Sequence, residues 1–560
     1  MIEDDLRGWF RSGLEAAAHG LGLDGELPEP EVMEPRQKEH GDFATNVALE
    51  VASRIATSPR TVAEAIVAAL PPAAFVRKVE VAGPGFINVF LTEGWLHDVL
   101  RRIAAEGAAY GTPPRSERRV QVEFVSANPT GPLHVGHARN AVLGDTIARL
   151  LDAAGWTVER EYYYNDAGGQ MDRFGASVDA SYLSHLGRPT QIPEDGYHGA
   201  YIDELGRDLA AEQPGWAGLP DEERLAAVRG AAAERVLGWI DATLARFNVR
   251  FDSYVSEAAL ERKGEIAQAI DELRASGHAY EAEGAVWFRS TAFGDDKDRV
   301  LVRSDGRHTY FGADCAYLMD KFARGFDHLI YVWGADHHGD IARVRGAAQA
   351  LGYDPDAMEF VLYQFVSLFR AGEAVKMSKR AGDLITLDEL LDEVGPDAAR
   401  YTLLARSSDS PIDFDIEVVT RQTMDNPVYY VQYAHARIAS LLRVAAERGV
   451  DLPPWQEVDL DVLTEPAELD LLRELSEFPD TVTAAAAGLT PHRLAHYTES
   501  VGAAFHRFYN ECRVIGDETG PTHARLWLSA AAKQVIGTAL GLLGVHAPES
   551  MERLDQDGDG

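Results

Sequence analysis

Apolar positions along the chain fall into two periods, and the period changes from segment to segment. Between Asp4 and Ala18 they recur every three or four residues at Leu6, Phe10, Leu14 and Ala17, which predicts an amphipathic helix. Val76-Arg-Lys-Val-Glu-Val-Ala82 reads as a strand, Gly83-Pro84-Gly85 punctuates it, and Phe86 to Leu91 resumes as a second strand. Leu96 to Ala105 returns to helical spacing. Gly111-Thr-Pro-Pro-Arg-Ser-Glu117 reads as a linker, so residues 1–112 form an α+β module of their own.

Beyond the linker, Arg119 to Ser126 predicts a strand, Asn128 to Pro132 a turn, His134 to Ala154 a helix, and Trp156 to Tyr164 another strand. Strand, turn, helix and strand in that order make a βαβ unit, the element of a parallel α/β sheet. Residues 174–295 are helix-rich and acidic and read as an insertion in that sheet. Strand patterns return at Ala285 to Phe288 and at His328 to Trp333. The α/β part is placed at 113–390. From Asn426 helical spacing dominates, at Val431–Ala446, Glu468–Ala487, His492–Cys512 and Ala524–Leu543. With a connecting segment, that gives an all-α bundle at 391–550 and a short acidic tail at 551–560.

Composition narrows the class. The chain has 560 residues, 46% of them hydrophobic and 25% charged, which fits a globular protein of three or four domains at roughly 150 residues each. The two cysteines, Cys315 and Cys512, cannot build a disulfide scaffold or a four-thiolate zinc site. No stretch of about 20 uninterrupted apolar residues predicts a membrane span. The acidic start, Met1-Ile-Glu-Asp-Asp5, has no signal-peptide pattern, so a cytoplasmic address is expected. The net charge of −36 argues against a general nucleic-acid coat protein but leaves room for a local basic groove.

Candidate chemistry concentrates in two segments. In Phe124-Val-Ser-Ala-Asn-Pro-Thr-Gly-Pro-Leu-His134-Val-Gly-His137, two histidines share one face at a helix start. A helix N-terminus presents N–H groups and partial positive charge, so added imidazole donors would suit phosphate oxygens. Gly136 between them leaves room for a flat base. A helix-start pair with no such role remains an alternative, and a metal pair has no evident third ligand. In Val375-Lys376-Met377-Ser378-Lys379-Arg380-Ala-Gly382, three cations cluster in a chain with few lysines, which suggests a loop that clamps polyphosphate. A solvated basic turn is the alternative.

Taken together and in this order, His134-Val-Gly-His137 and Lys376-Met-Ser-Lys379-Arg380 resemble the two signature sequences of class I aminoacyl-tRNA synthetases. Val replaces the usual Ile in the first, and Arg the usual final Ser in the second. The stretch Ser126 to Asn140, together with Tyr164-Asn-Asp-Ala-Gly-Gly-Gln170, Ile385-Thr-Leu387 and Gly544-Val-His-Ala-Pro-Glu549, resembles the arginyl-tRNA synthetase family, bacterial type. Glu39 to Asn46 resembles that family's N-terminal module. Asp397-Ala-Ala-Arg400 resembles the Asp-Ala-Leu-Arg motif of its anticodon-binding domain, with Ala for Leu.

The resemblance implies a Rossmann-like catalytic domain, an N-terminal tRNA-recognition module and a helical anticodon-binding bundle. It implies an ATP-dependent ligase that forms arginyl-adenylate and passes arginine to the terminal ribose of its tRNA, working as a monomer away from membranes. Magnesium would arrive with ATP, and no structural metal is expected. By position, His134, His137, Lys376 and Lys379 match catalytic residues, while Gly136, Gly334, Asp336, Met377 and Ser378 match ATP contacts. Glu123, Asn128, Tyr310 and Asp314 match the arginine pocket, and His338 falls near a pocket position that is Gln in some relatives. Phe86, Asn88, Tyr430, Tyr433, Arg437 and Met551 match tRNA contacts.

Two other readings define what would count against this one. A non-catalytic tRNA-binding relative would have lost a signature residue, and all of His134, His137, Lys376 and Lys379 are present. A ligase for cysteine would need a thiol-binding zinc site, which two separated cysteines do not supply. The adjacent acids and histidines of Asp336-His337-His338-Gly-Asp340 lack metal-ligand spacing. The tail Asp555-Gln-Asp-Gly-Asp-Gly560 mimics the start of a calcium loop without its closing Glu.

Overall fold

The computed structural model describes residues 2–23, 25–35, 37–188, 190–375 and 385–551. The chain divides into two compact units, and the first division falls at the expected linker, between Gly111 and Thr112. One unit comprises 1–111, 434–480 and 500–536, and the other 112–433, 481–499 and 537–560.

In the first unit, the helix Ile2–Leu21 buries Leu6, Phe10 and Leu14, the face its spacing predicts. It packs with helices Val47–Ile55 and Pro59–Ala69 over a four-stranded antiparallel sheet. The strands lie in the order Val32–Met33, Phe43–Thr45, Phe86–Leu91, Val76–Ala82. The two longest match the sequence reading, and the other two are too short to show a period. Ile66, Ile87 and Val89 complete the core.

The second unit is built on a five-stranded sheet, all parallel, in the order Met358–Tyr363, His328–Gly334, Arg119–Glu123, Thr157–Tyr164, Ser253–Ser256. The last of these corrects the sequence reading. Ser253–Ser256 pairs with Thr157–Tyr164 inside the stretch assigned to an insertion, so the helix-rich insertion ends before residue 253 rather than at 295. Its three long helices are Gly168–His185, Ala200–Glu212 and Asp221–Arg246. Ser-Tyr-Val-Ser is too short and too polar to advertise a strand, and it lies at the edge of the sheet with none of its residues buried. Ala285–Phe288 is a strand as expected, and it hairpins with Ala279–Ala282 in a separate antiparallel sheet.

The first strand stops at Glu123 rather than Ser126, because Val125 and Ser126 adopt left-handed backbone conformations with φ of 64° and 45°. A β-branched residue there is strained and is held only by its surroundings. Val125 N–H donates to Asn140 Oδ1, and Ser126 N–H donates to the Phe124 carbonyl at 2.9 Å.

The C-terminal region is helical as expected, with one break. Glu468–Ala487 is two helices, Pro466–Ser476 and Phe478–Ala487, and Pro479 at the second position of the latter cannot donate back into the former. The helix Thr519–Leu543 is long and apolar enough to cross a bilayer by composition. It buries Leu526, Leu528, Ala532, Ile536, Leu540 and Leu543 against the rest of the protein, as a core helix does.

Candidate active site

The signature helix, Val135–Ala153, begins on a reciprocal cap made by the two histidines. Gly136 N–H donates to His134 Nδ1 at 3.1 Å, and His134 N–H donates to His137 Nδ1 at 3.2 Å. Both Nδ1 atoms therefore accept, so each neutral ring carries its proton on Nε2, the nitrogen farther from the cap. The rings lie 3.9 Å apart, centre to centre. The absent side chain at Gly136 has a use that its sequence context did not suggest. A Cβ there would stand 2.7 Å from His134 Cε1, so glycine makes room for the histidine ring itself.

The next residues of the motif anchor the helix. Arg139 is fully buried, and its guanidinium donates to the carbonyls of Gln364, Ser407 and Ser410 at 2.7 to 2.8 Å. Asn140 Nδ2 donates to the Val332 carbonyl at 2.8 Å while its Oδ1 holds the strained Val125. Sequence reasoning used these residues only as markers of resemblance. Both lie on a helix that also buries Asp145 and Thr146 among its apolar residues.

Lys376, Met377, Ser378 and Lys379 lie outside the described residues, as does the acidic tail beyond Met551. The described chain on the far side of the second signature is tied to the first. Val135 N–H donates to the Ile385 carbonyl at 3.4 Å, and Leu387 N–H donates to the Leu133 carbonyl at 2.8 Å. Thr386 pairs with His134 as a β-bridge and caps the following helix.

A second cluster gathers around the pocket helix, Tyr310–Ala323. Thr309 caps it by accepting from Gly312 N–H at 3.2 Å, so Asp314 is not the capping residue. Burial pushes the Asp314 carboxyl up to about 7, with Glu257, Glu123 and Asp340 adding to the shift and Arg343 opposing it. Glu257 rises to about 7 as well, chiefly by burial, against a hydrogen bond from Tyr163. That bond runs from the Tyr163 hydroxyl to Glu257 Oε2 at 2.8 Å. Glu257 was missed from sequence, because it opens a short helix after the unrecognised strand Ser253–Ser256 and no spacing links it to Asp314. Tyr310, one turn before Asp314, is 57% exposed.

Glu123 is nearly buried, accepting from Lys321 Nζ at 2.5 Å and from Ser126 Oγ at 3.1 Å. Asn128 donates to Gln170 Oε1 at 2.7 Å and accepts from Asn165 N–H at 3.1 Å, which links the signature loop to the Tyr164–Gln170 segment. Gly334 is buried at the end of its strand, whereas Asp336 and His338 are exposed on the following turn, Ala335–Asp340. In that turn His337 Nδ1 lies 3.2 Å from Asp340 Oδ2. Among the described residues no group of three His, Cys, Asp or Glu side chains is placed to hold a metal ion.

The residues singled out for RNA are more dispersed. Tyr430, Tyr433 and Arg437 are half-buried on the helix Pro427–Glu447, which buries Val431, Ala434 and Ile438 instead. In one unit Tyr433 stacks on Tyr429 with centroids 6.1 Å apart, and in the other the Arg437 guanidinium lies 4.0 Å over the Tyr509 ring. Met551 and Phe86 are half-buried. Asn88 is 4% exposed, so its amide lies inside the N-terminal module rather than at its surface.

Comparison with known proteins decides the family. Residues 8–91 match the arginyl-tRNA synthetase N-terminal domain, 99–190 and 231–422 the class I (R) catalytic domain, and 431–551 the DALR anticodon binding domain. The chain belongs to the arginyl-tRNA synthetases. It is 50% identical over 557 residues to the arginine–tRNA ligase of Desulforudis audaxviator, with 98% of each chain covered. Among solved structures it resembles a putative arginyl-tRNA synthetase from Campylobacter jejuni, with a TM-score of 0.76 at 34% identity, covering 82% of this chain and 100% of that one. It also resembles the Thermus thermophilus arginyl-tRNA synthetase, with a TM-score of 0.75 at 26% identity over 98% and 100%. The catalytic match stops at 190 and resumes at 231, a gap that falls among the three insertion helices. The motif Asp397-Ala-Ala-Arg400 lies ahead of the matched DALR region, on the helix Pro396–Leu404.

Proposed function

We propose that the chain is an ATP-dependent arginine–tRNA ligase whose side-chain pocket is formed around Asp314 and Glu257. The observation that carries this is a pair of half-buried carboxyls, Asp314 and Glu257, each raised by desolvation to about 7, in the same unit as the signature cap. A guanidinium is planar and permanently charged, so paired carboxylates can bind it through several N–H groups and discriminate against lysine by geometry. Tyr310 borders this pocket on its solvent side. Glu123, Asn128 and His338 are assigned to the rest of the substrate, with Glu123 and Asn128 nearest its amino end.

In the first step an oxygen of the arginine carboxylate attacks the α-phosphorus of ATP and pyrophosphate leaves. His134 and His137 present Nε2–H groups to the charge that develops on the phosphate oxygens, which stabilises the transition state without proton transfer. Gly136, Gly334 and Asp336 are assigned to the nucleoside of ATP. Lys376, Met377, Ser378 and Lys379 are assigned to its phosphates. Magnesium accompanies ATP as part of the substrate, held by phosphate oxygens. In the second step a hydroxyl of the terminal ribose attacks the adenylate carbonyl and AMP leaves.

Tyr430, Tyr433, Arg437, Met551, Phe86 and Asn88 are assigned to tRNA, with stacking on unpaired bases as the chemistry of the tyrosines. Of these, Asn88 has the weakest support, because its amide is buried. A cytoplasmic monomer acting away from membranes completes the reading.

The test is pyrophosphate exchange with each amino acid, with and without bulk tRNA. Exchange that requires arginine and no other amino acid is the expected result. A folded protein that binds tRNA yet exchanges with none would instead be a non-catalytic relative.

A further inference from the structure

The pocket helix carries a charged side chain that the assignments above leave unused. Lys321 lies two turns beyond Asp314 and is 0% exposed. Its Nζ donates to Glu123 Oε2 at 2.5 Å and lies over the rings of Tyr317 and Tyr331, 4.2 and 3.9 Å from their centres. A buried ammonium is costly unless it is paired, and here a carboxylate and two aromatic faces supply the pairing.

The partner of Lys321 leads directly to the pocket. The other oxygen of Glu123 accepts from Ser126 Oγ, and that Oγ accepts from Tyr163 N–H at 3.3 Å. Tyr163 in turn donates its hydroxyl to Glu257. Asp314 is faced by Glu257, Glu123 and Asp340, with Arg343 as the opposing cation. Lys321 is faced by Glu123, Glu161 and Arg324. Arg324 donates to Glu161 Oε1 at 2.8 Å, so the carboxylate beneath has a cation of its own. Lys321 is thus the cation that answers Glu123.

We propose that Lys321 is a positioning residue for arginine recognition: it aims the Glu123 carboxylate at the amino end of the substrate and offsets one of the negative charges crowding Asp314. This rests on the assignment of the pocket to arginine. Removing the cation makes Asp314 harder to ionise, whereas removing the charge of Glu123 makes it easier. A merely structural lesion would not move the two in opposite directions.

The experiment is arginine-dependent pyrophosphate exchange by the full chain, from about pH 6 to about pH 9, read as KM for arginine and for ATP. Lys321→Met is expected to raise the arginine KM about tenfold and to move the pH midpoint of arginine binding up by about one unit. Its ATP KM stays within about twofold. Glu123→Gln moves that midpoint down, and Lys321→Arg restores it. A folded Lys321→Met variant with an unchanged arginine KM and midpoint overturns the proposal. If that variant does not fold, Glu123→Gln decides, and an unmoved or raised midpoint overturns the proposal equally. Absence of arginine-dependent exchange in the unsubstituted chain removes the pocket assignment itself, which is a different failure from a normal parent with an unaltered variant.

Discussion

The Arg400 guanidinium donates to the Asp145 carboxylate with neither side chain exposed, and the pair joins the motif helix Pro396–Leu404 to the signature helix. Arg400 also donates to the carbonyls of Leu543 at 2.7 Å and Phe247 at 2.9 Å. Gly544, with φ of 71°, packs so closely that a Cβ there would stand 2.3 Å from Arg400 Nε. Asp397, one turn earlier, accepts from His546 N–H at 3.1 Å and from Gln432 Nε2 at 3.0 Å. The two outlying motifs of the sequence, at 397–400 and 544–549, are therefore two sides of one buried joint. Removing one member of a buried pair leaves a charge or several carbonyls unanswered, at about 3–5 kcal/mol. Arg400→Met and Asp145→Asn are each expected to cost at least about 3 kcal/mol, read as a lower urea midpoint. Midpoints within error of the parent would show that the joint is not needed for stability.

Arginine binding has a predictable pH dependence. Asp314 and Glu257 both titrate near about 7, well above the usual carboxylate range, and a guanidinium needs them ionised. As pH falls below about 7 the arginine KM is expected to rise by about tenfold per unit for the first carboxyl protonated and towards about a hundredfold per unit once both are, with ATP KM much less affected. Stability runs the other way. A carboxyl raised in the folded state binds its proton more tightly there than in the unfolded chain, so acidification from about pH 7 towards about pH 4 favours the folded, empty pocket. Asp314→Ala is expected to raise the arginine KM greatly while ATP binding stays near normal. Unchanged arginine kinetics in that variant would take Asp314 out of the pocket.

The double duty of His134 can be separated. Its Nδ1 caps the helix, and its Nε2–H is assigned to phosphate. Asn is a good N-cap but is too short to present a donor at the Nε2 position. His134→Asn is expected to keep the parent's thermal midpoint and lose about a hundredfold in exchange rate. His134→Ala is expected to lose the rate and also about 1 kcal/mol of stability. Equal rates for parent and His134→Asn would leave capping as the whole role of this histidine.

Much of this architecture was legible in the sequence because its signals are local. The linker at Gly111, the βαβ unit and the long terminal helices follow from period and punctuation, and the signature motifs follow from spacing. What was missed depends on neighbours distant in the chain. Ser253–Ser256 becomes a sheet strand only because Thr157–Tyr164 offers a free edge, and with that strand hidden, Glu257 had no reason to be set beside Asp314. Lys321 shares the face of Tyr310, Asp314 and Tyr317, a pattern visible on the pocket helix, but its partner Glu123 lies 198 residues away. Gly136 was legible as a necessary glycine, but its close approach to the His134 ring was not, since that depends on how the ring folds back.

The second signature gives the last prediction, one that its described flanks support. Ile385 and Leu387 are hydrogen-bonded to Val135 and Leu133 beside the histidine cap, and Lys379 precedes Ile385 by six residues in the sequence. Lys379 is assigned, by the match of its motif, to the phosphates of ATP and not to the arginine side chain. Lys379→Ala is therefore expected to reduce the rate of adenylate formation by about a hundredfold or more, with the arginine dissociation constant changed less than about threefold. Single-turnover exchange against equilibrium arginine binding separates the two quantities. If arginine binding weakened as much as the rate, the lysine would be acting on the ground state of the amino acid, and its assignment to the phosphates would have to be abandoned.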